Sequence, residues 1–189
     1  PRNIALHLAD KIMHRLESGG KSCFILAMDG YAGAEWIQSA NLVAQTLSIS
    51  KINTELIDVS SCYKSPADLD KMLAENLEED RKKDPVLLFG KLFKGGYESL
   101  FSQSKLNLLK NRMQSVKKRN TGKTAVIIYG FGSAFEGLRP LIDTIAYFDV
   151  TPKEAILRIK NGRYRNLGDI HARPFKTMMR RCYFYDFEL

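Results

Sequence analysis

Cys23-Phe24-Ile25-Leu26-Ala27-Met28-Asp29-Gly30-Tyr31-Ala32-Gly33-Ala34-Glu35-Trp36 is the stretch that decides the fold. Its first six residues form a continuous apolar run, the pattern of a buried parallel strand. Asp29 to Gly33 read as a glycine turn. A helical stripe follows over 34–48, with Trp36, Ile37, Ala40, Val43, Ala44 and Leu47 on one face. Strand, glycine turn and helix together present backbone N–H groups to a phosphate. The nucleotide-gripping version of this turn needs Lys after its last Gly and then Ser or Thr for magnesium. Ala34 and Glu35 stand in those places.

Glu35 bears directly on the chemistry. A Glu in the first helical turn suits the positive end of the helix dipole. Beside a bound polyphosphate it is unfavourable. Two like charges ~4 Å apart repel by roughly 4 kcal/mol at an effective dielectric of about 20. Either Glu35 points away, or it holds a cation, or no polyphosphate sits there.

The rest of the chain alternates in the same way. Residues 3–17 carry the stripe Ile4, Leu8, Ile12 and Leu16, and Thr54–Val59 is a short strand. Ser65-Pro66 starts a helix, with Ser as cap and Pro at the first helical position. Asp84-Pro85 opens the apolar run Val86-Leu87-Leu88-Phe89. Residues 102–118 are helical, Ala125–Tyr129 is a buried strand closed by Gly130, and Ile145–Val150 is another. Thr151-Pro152 starts a further helix and Pro174 opens a last one that reaches Arg181. Tyr183–Phe187 reads as a final strand. Strands separated by helices imply an α/β fold of three layers, a parallel sheet of about five strands covered on both faces. Ligands in such sheets bind beyond the carboxyl ends of the strands. That rule gathers Asp29–Glu35, Asp58–Lys64 and Gly130–Ser133 as the candidate region.

Composition narrows the function classes. A chain of 189 residues with 44% hydrophobic content is long enough for one domain with its own core. No apolar run approaches the roughly 18 residues of a membrane-spanning helix. The start of the chain reads as an amphipathic helix and fits a secretory or transit segment poorly. Cys23, Cys62 and Cys182 are widely spaced and odd in number, which points to a reducing cytoplasm. With no CxxC pair and only His7, His14 and His171 available, no metal site is expected. The net charge of +8 is uneven: residues 1–95 balance at −1 and residues 96–189 at +9. A basic half suits small phosphates or nucleic acid.

Two short motifs are decoys. Gly122-Lys123-Thr124 and Gly20-Lys21-Ser22 resemble the end of a nucleotide-binding loop, but each precedes a strand where a helix is required. The residues that can do chemistry lie elsewhere. Asp58 closes the second strand, where a carboxylate can take a proton from a substrate hydroxyl or can make local backbone hydrogen bonds. Arg158, Arg163 and Arg165 flank Asn161-Gly162, where guanidinium groups can clamp phosphates or simply solvate a helix end.

The order of these parts resembles the uridine kinase and phosphoribulokinase type of P-loop kinase over most of the chain. In that family the second strand ends in Asp followed closely by Tyr, as Asp58 and Tyr63 do. The third strand ends in Gly, as Gly130 does, and an Arg-containing lid follows the fourth, at the place of residues 158–175. The resemblance implies Asp58 as base, with ATP and magnesium as cofactors where the loop is functional. It implies phosphate contacts at Arg158 and Arg163. With the glycine turn, the strand ends and the rest of the Arg-containing loop, the full candidate set for phosphate or ligand contacts is Asp29, Gly30, Gly33, Ala34, Glu35, Tyr63, Lys64, Arg158, Arg163 and Arg165. Two positions depart from it: Ala34-Glu35 at the loop, and Tyr129 where the family carries an acidic residue. Longer phrases, Tyr63-Lys64-Ser65-Pro66, Asp84-Pro85-Val86-Leu87-Leu88-Phe89-Gly90-Lys91 and Arg180-Arg181-Cys182-Tyr183-Phe184, resemble the kinase-like N-terminal domain of some bacterial class I mannose-6-phosphate isomerase-type proteins. On that resemblance residues 1–189 are one kinase-like domain of a longer protein, with an isomerase domain adjoining it. The expectation is a degenerate kinase-like module that binds a phosphorylated small molecule in carbohydrate metabolism. The competing expectations are an active kinase acting on a sugar or nucleoside hydroxyl, and a basic nucleic-acid-binding domain.

Overall fold

The structure is a computed structural model that describes residues 2–18, 20, 22–77, 82, 85, 89–119 and 122–189. The chain divides into two compact units. The first comprises Pro1–Gly30, Glu35–Ser61 and Gln103–Asp149; the second comprises Tyr31–Ala34, Cys62–Ser102 and Val150–Leu189.

Among the described residues the first unit is built on a parallel sheet of four strands, β1 (Cys23–Gly30), β2 (Asn53–Asp58), β3 (Thr124–Tyr129) and β4 (Thr144–Phe148), in the order β2-β3-β1-β4. All eight residues of β1 are buried, as befits an interior strand whose both faces are covered. Register places Met28 beside Tyr129, and Asp58 beside Tyr129 on its other side. The carboxyl ends of β2 and β3 therefore finish level, and β1 runs two residues further, to Gly30. Helices α1 (Arg2–Ser18) and α2 (Trp36–Ile49) pack on one face. There Leu8, Ile12 and Leu16 meet Val43, Leu47, Phe24, Leu26, Met28 and Ile127 in one core. Strand alternation turns Ile25 and Ala27 to the other face. Helix α4 (Gln103–Lys118) packs against β1 and buries Leu106, Leu109, Met113 and Val116.

The second unit holds α3 (Pro66–Leu73), α5 (Pro152–Lys160) and α6 (Phe175–Arg181), which runs directly into a π-helical turn, Cys182–Asp186. The helix starts obey their capping residues. Ser65 Oγ accepts from Asp68 N at 3.2 Å, and Thr151 Oγ accepts from Glu154 N at 3.2 Å, each followed by Pro at the first helical position.

Two readings are corrected here. Among the described residues the sheet has four strands rather than about five, because Tyr183–Phe187 continues a helix. Burial of Met178, Arg181, Cys182 and Tyr185 recurs every three or four residues, and no strand buries its side chains at that spacing. Of the apolar run after Pro85, Val86–Leu88 lies outside the described residues, while Phe89 and Gly90 carry no regular structure. The second correction is at the glycine turn. Helix α2 begins at Trp36, so Glu35 is its N-cap residue and lies outside the first helical turn.

Candidate functional site

In the first unit, the carboxyl ends of β1 and β3 are tied together by one side chain. Asp29 Oδ1 accepts from Gly30 N at 2.8 Å and from Gly132 N at 2.9 Å, and its Oδ2 accepts from Ala134 N at 2.7 Å. The turn that makes this possible needs two left-handed residues, Gly130 at φ 115° and Gly132 at φ 79°. The result is a backbone anion nest that holds an internal carboxylate. Burial pushes the Asp29 carboxyl above its ordinary value, outweighing the three N–H donors that pull it down. Ser133 Oγ, next in this turn, is buried with no hydrogen-bond partner among the described residues.

Asp58 ends β2 on the surface. Its Oδ1 accepts from Ser60 N at 2.9 Å, closing an Asx turn, and its carbonyl accepts from Ser61 Oγ at 2.7 Å. Desolvation, with help from the Asp58 charge, raises the neighbouring Tyr129 hydroxyl.

In the second unit, the segment Tyr31–Ala34 folds into a turn closed by Ala34 N donating to Tyr31 O at 3.0 Å, with Gly33 at φ 89°. Arg158, from the last turn of α5, reaches this segment. Its Nη1 donates to Gly33 O at 2.7 Å and its Nε to Glu154 Oε1 at 2.9 Å. The side chain is 19% exposed, and Nη2 has no protein partner among the described residues. The N–H groups of Ala32 and Gly33 are likewise without partners there. Ala34 N–H and Gly30 N–H are taken, by Tyr31 O and Asp29. A Cβ on Gly33 would meet Ala155 at 3.5 Å, so the turn lies directly against α5.

The other named residues are placed differently. Arg163 N donates to Arg158 O at 2.8 Å, which turns the chain back at the end of α5. Arg165 Nη1 is spent on Ile170 O. Tyr63 is buried, its ring edge-on to Phe101 at 5.5 Å. Lys64 Nζ lies 3.8 Å from Met72 Sδ. Among the second unit's residues, then, the structure brings Gly33, Ala34 and Arg158 to one place, while Arg165, Tyr63 and Lys64 serve local packing.

Sequence reasoning missed the most heavily charged part of the interior. Arg181, where the last helix was expected to end, is 1% exposed. Its Nη1 lies 3.1 Å from Asp169 and 3.4 Å from Asp70, and its Nε lies 3.9 Å from Asp186 Oδ1. Asp186 Oδ2 accepts from Tyr164 Oη at 2.9 Å and from Asn166 Nδ2 at 2.7 Å. Arg173 joins the cluster through Asp70 and Asp169. A buried charge survives only when paired and hydrogen-bonded, and this one is. The available signal was a lone Asp inside an aromatic run, five residues after Arg181.

A family profile described as "Domain of unknown function (DUF8485)" matches residues 7–189. The chain belongs to the DUF8485 family. No curated protein matches this DUF8485 chain in sequence. Among solved structures it is similar to a candidate fructose transport system kinase from Silicibacter sp. TM1040. The TM-score is 0.62 and the identity 14%, over 97% of this chain and 90% of that one. It is also similar to a possible uridine kinase from Bacillus stearothermophilus. There the TM-score is 0.47 and the identity 14%, over 80% of this chain and 86% of that one. At such identity the likeness concerns the fold, which is α/β and P-loop-kinase-like. Among the described residues no helix is long and apolar enough to cross a membrane.

Proposed function

We propose that this chain binds a phosphorylated small molecule on a kinase-like scaffold without transferring its phosphate. We infer that it acts as an accessory module of a mannose-6-phosphate isomerase-type protein. The contact of Arg158 Nη1 with Gly33 O at 2.7 Å carries the reading. It fixes a permanent cation at the glycine turn, beside the N–H groups of Ala32 and Gly33, which have no partner among the described residues. A guanidinium with a spare edge and two backbone donors is the chemistry that recognises a phosphate. Transfer asks for more. It needs a Lys and a magnesium-binding hydroxyl directly after the last Gly of the turn, and Ala34 and Glu35 stand there.

One observation favours the active-kinase reading. Asp58 is exposed, at the carboxyl end of β2, where a base for a substrate hydroxyl would be useful. A magnesium-dependent ATP turnover assay with sugars and nucleosides separates the two. The proposal expects no turnover above a no-protein control, and turnover that disappears in Asp58→Ala would replace it with the kinase.

A further inference from the structure

The face that α6 and its π-turn show to solvent is of the wrong polarity for a surface helix. The inward side carries Met178, Arg181, Cys182 and Tyr185, all buried. The outward side carries Phe175, Met179 and Tyr183 at a spacing of four, where a surface helix ordinarily places polar residues. Phe175 is 49% exposed and Tyr183 is 54% exposed. Leu92, 53% exposed, faces the same space from the segment before Phe93. Together with Phe184, Lys176 and Arg180, these side chains line a cavity of about 550 Å³. That volume falls in the range of roughly 300–1,000 Å³ typical of small-molecule sites.

Among the described residues that line the cavity, the charged groups are all of one sign. Lys176 and Arg180 are one helical turn apart and share an edge, and no lining residue among the described residues is acidic. Arg180 is held in place: Nε donates to Phe89 O at 2.8 Å and Nη1 to Leu77 O at 3.3 Å. Lys176 makes no ion pair or hydrogen bond among the described residues. An apolar well with two cations on its rim suits a ligand with the complementary division.

We propose that this cavity binds a small amphipathic anion. Its ring or short chain would fill the well between Leu92, Phe175, Met179 and Tyr183, and its carboxylate, sulfonate or phosphate head would rest on Lys176 and Arg180. The site shares no residue with the Arg158–Gly33 contact and does not depend on the proposed function.

The test uses two fluorescent probes on the whole chain, anilinonaphthalene sulfonate and the uncharged N-phenyl-1-naphthylamine, which keeps the rings and lacks the sulfonate. Saturable binding of the sulfonate at one site is expected. Phe175→Asp should weaken both probes. Lys176→Glu should weaken only the sulfonate, by about five- to tenfold, the size of a lost exposed ion pair plus a repulsion of similar strength. Both positions are exposed, so unchanged circular dichroism and melting confirm intact folding. No saturable sulfonate binding, sulfonate binding unchanged in both variants, or equal loss of both probes in Lys176→Glu would each overturn the proposal.

Discussion

Replacing Asp29 by Ala removes the carboxylate that joins β1 to the turn after β3. Three N–H groups, at 2.7–2.9 Å, lose their acceptor together. Those of Gly132 and Ala134 are held in a turn where water has little access, since Asp29 itself is only 8% exposed. An orphaned buried donor costs about 1–3 kcal/mol, so the pair amounts to roughly 2–6 kcal/mol. For a chain of this size that lowers the melting temperature by roughly 4–24 °C. Asp29→Asn is expected to cost less. Its amide oxygen can still accept from Gly30 and Gly132, and only Ala134 N–H meets a donor. Urea unfolding followed by fluorescence of Trp36, the lone tryptophan and a residue of the same unit, reads both variants as a shift in midpoint. The pH dependence adds a sign. Because burial raises the folded-state value of Asp29 above 3.8, its proton-linked stability is fully present below 3.8. It is lost as pH rises through the raised value. The advantage of wild type over Asp29→Asn should therefore widen on acidification through that window. An Asp29→Ala protein within about 0.5 kcal/mol of wild type at neutral pH, the scatter of ordinary surface changes, would refute the reasoning. So would a gap that narrows as pH falls.

Gly30→Ala should destabilise the sheet by roughly 1–3 kcal/mol, as overpacking does. Its Cβ would fall 2.3 Å from Phe148 O on the paired strand, and chemical denaturation measures the loss. Asp186→Asn should cost about 3 kcal/mol, because it strips a charge from a fully buried pair while Asp169 remains near Arg181. A shift of less than about 1 kcal/mol in the same assay would show the pair to be inert. The Cys182 thiol is pushed far above its usual value by burial and by Asp186, and Cys23 and Cys62 are buried as well. All three thiols should ignore a disulfide reagent in the native protein and react on unfolding, and one fast native thiol would contradict this.

The parts of the fold that were legible in the sequence were those with local causes. β1 and β3 are continuous apolar runs because parallel interior strands are covered on both faces. α3 and α5 begin where Ser65-Pro66 and Thr151-Pro152 said they would. The π-turn was misread because Tyr183-Phe184-Tyr185 has the composition of a strand, and tertiary packing overrode that preference. Of the candidate site, Gly33 and Arg158 were both named, but their contact spans 125 residues and no local pattern encodes it. The Asp29 bridge spans 105 residues to Ala134, so a side chain read as a ligand contact is found making an internal one. The burial of Arg181 depends on Asp70 and Asp169, distant residues that no helix-end rule anticipates.

The central claim is binding of a phosphorylated small molecule without transfer. Calorimetric titration of mannose 6-phosphate into wild type and Arg158→Ala, with Mg-ATP titrated in parallel, tests it most directly. The account predicts saturable heat from the sugar phosphate that is lost in Arg158→Ala, and no tight binding of Mg-ATP. Silence with the sugar phosphate, or tight Mg-ATP binding that survives Arg158→Ala, would contradict it.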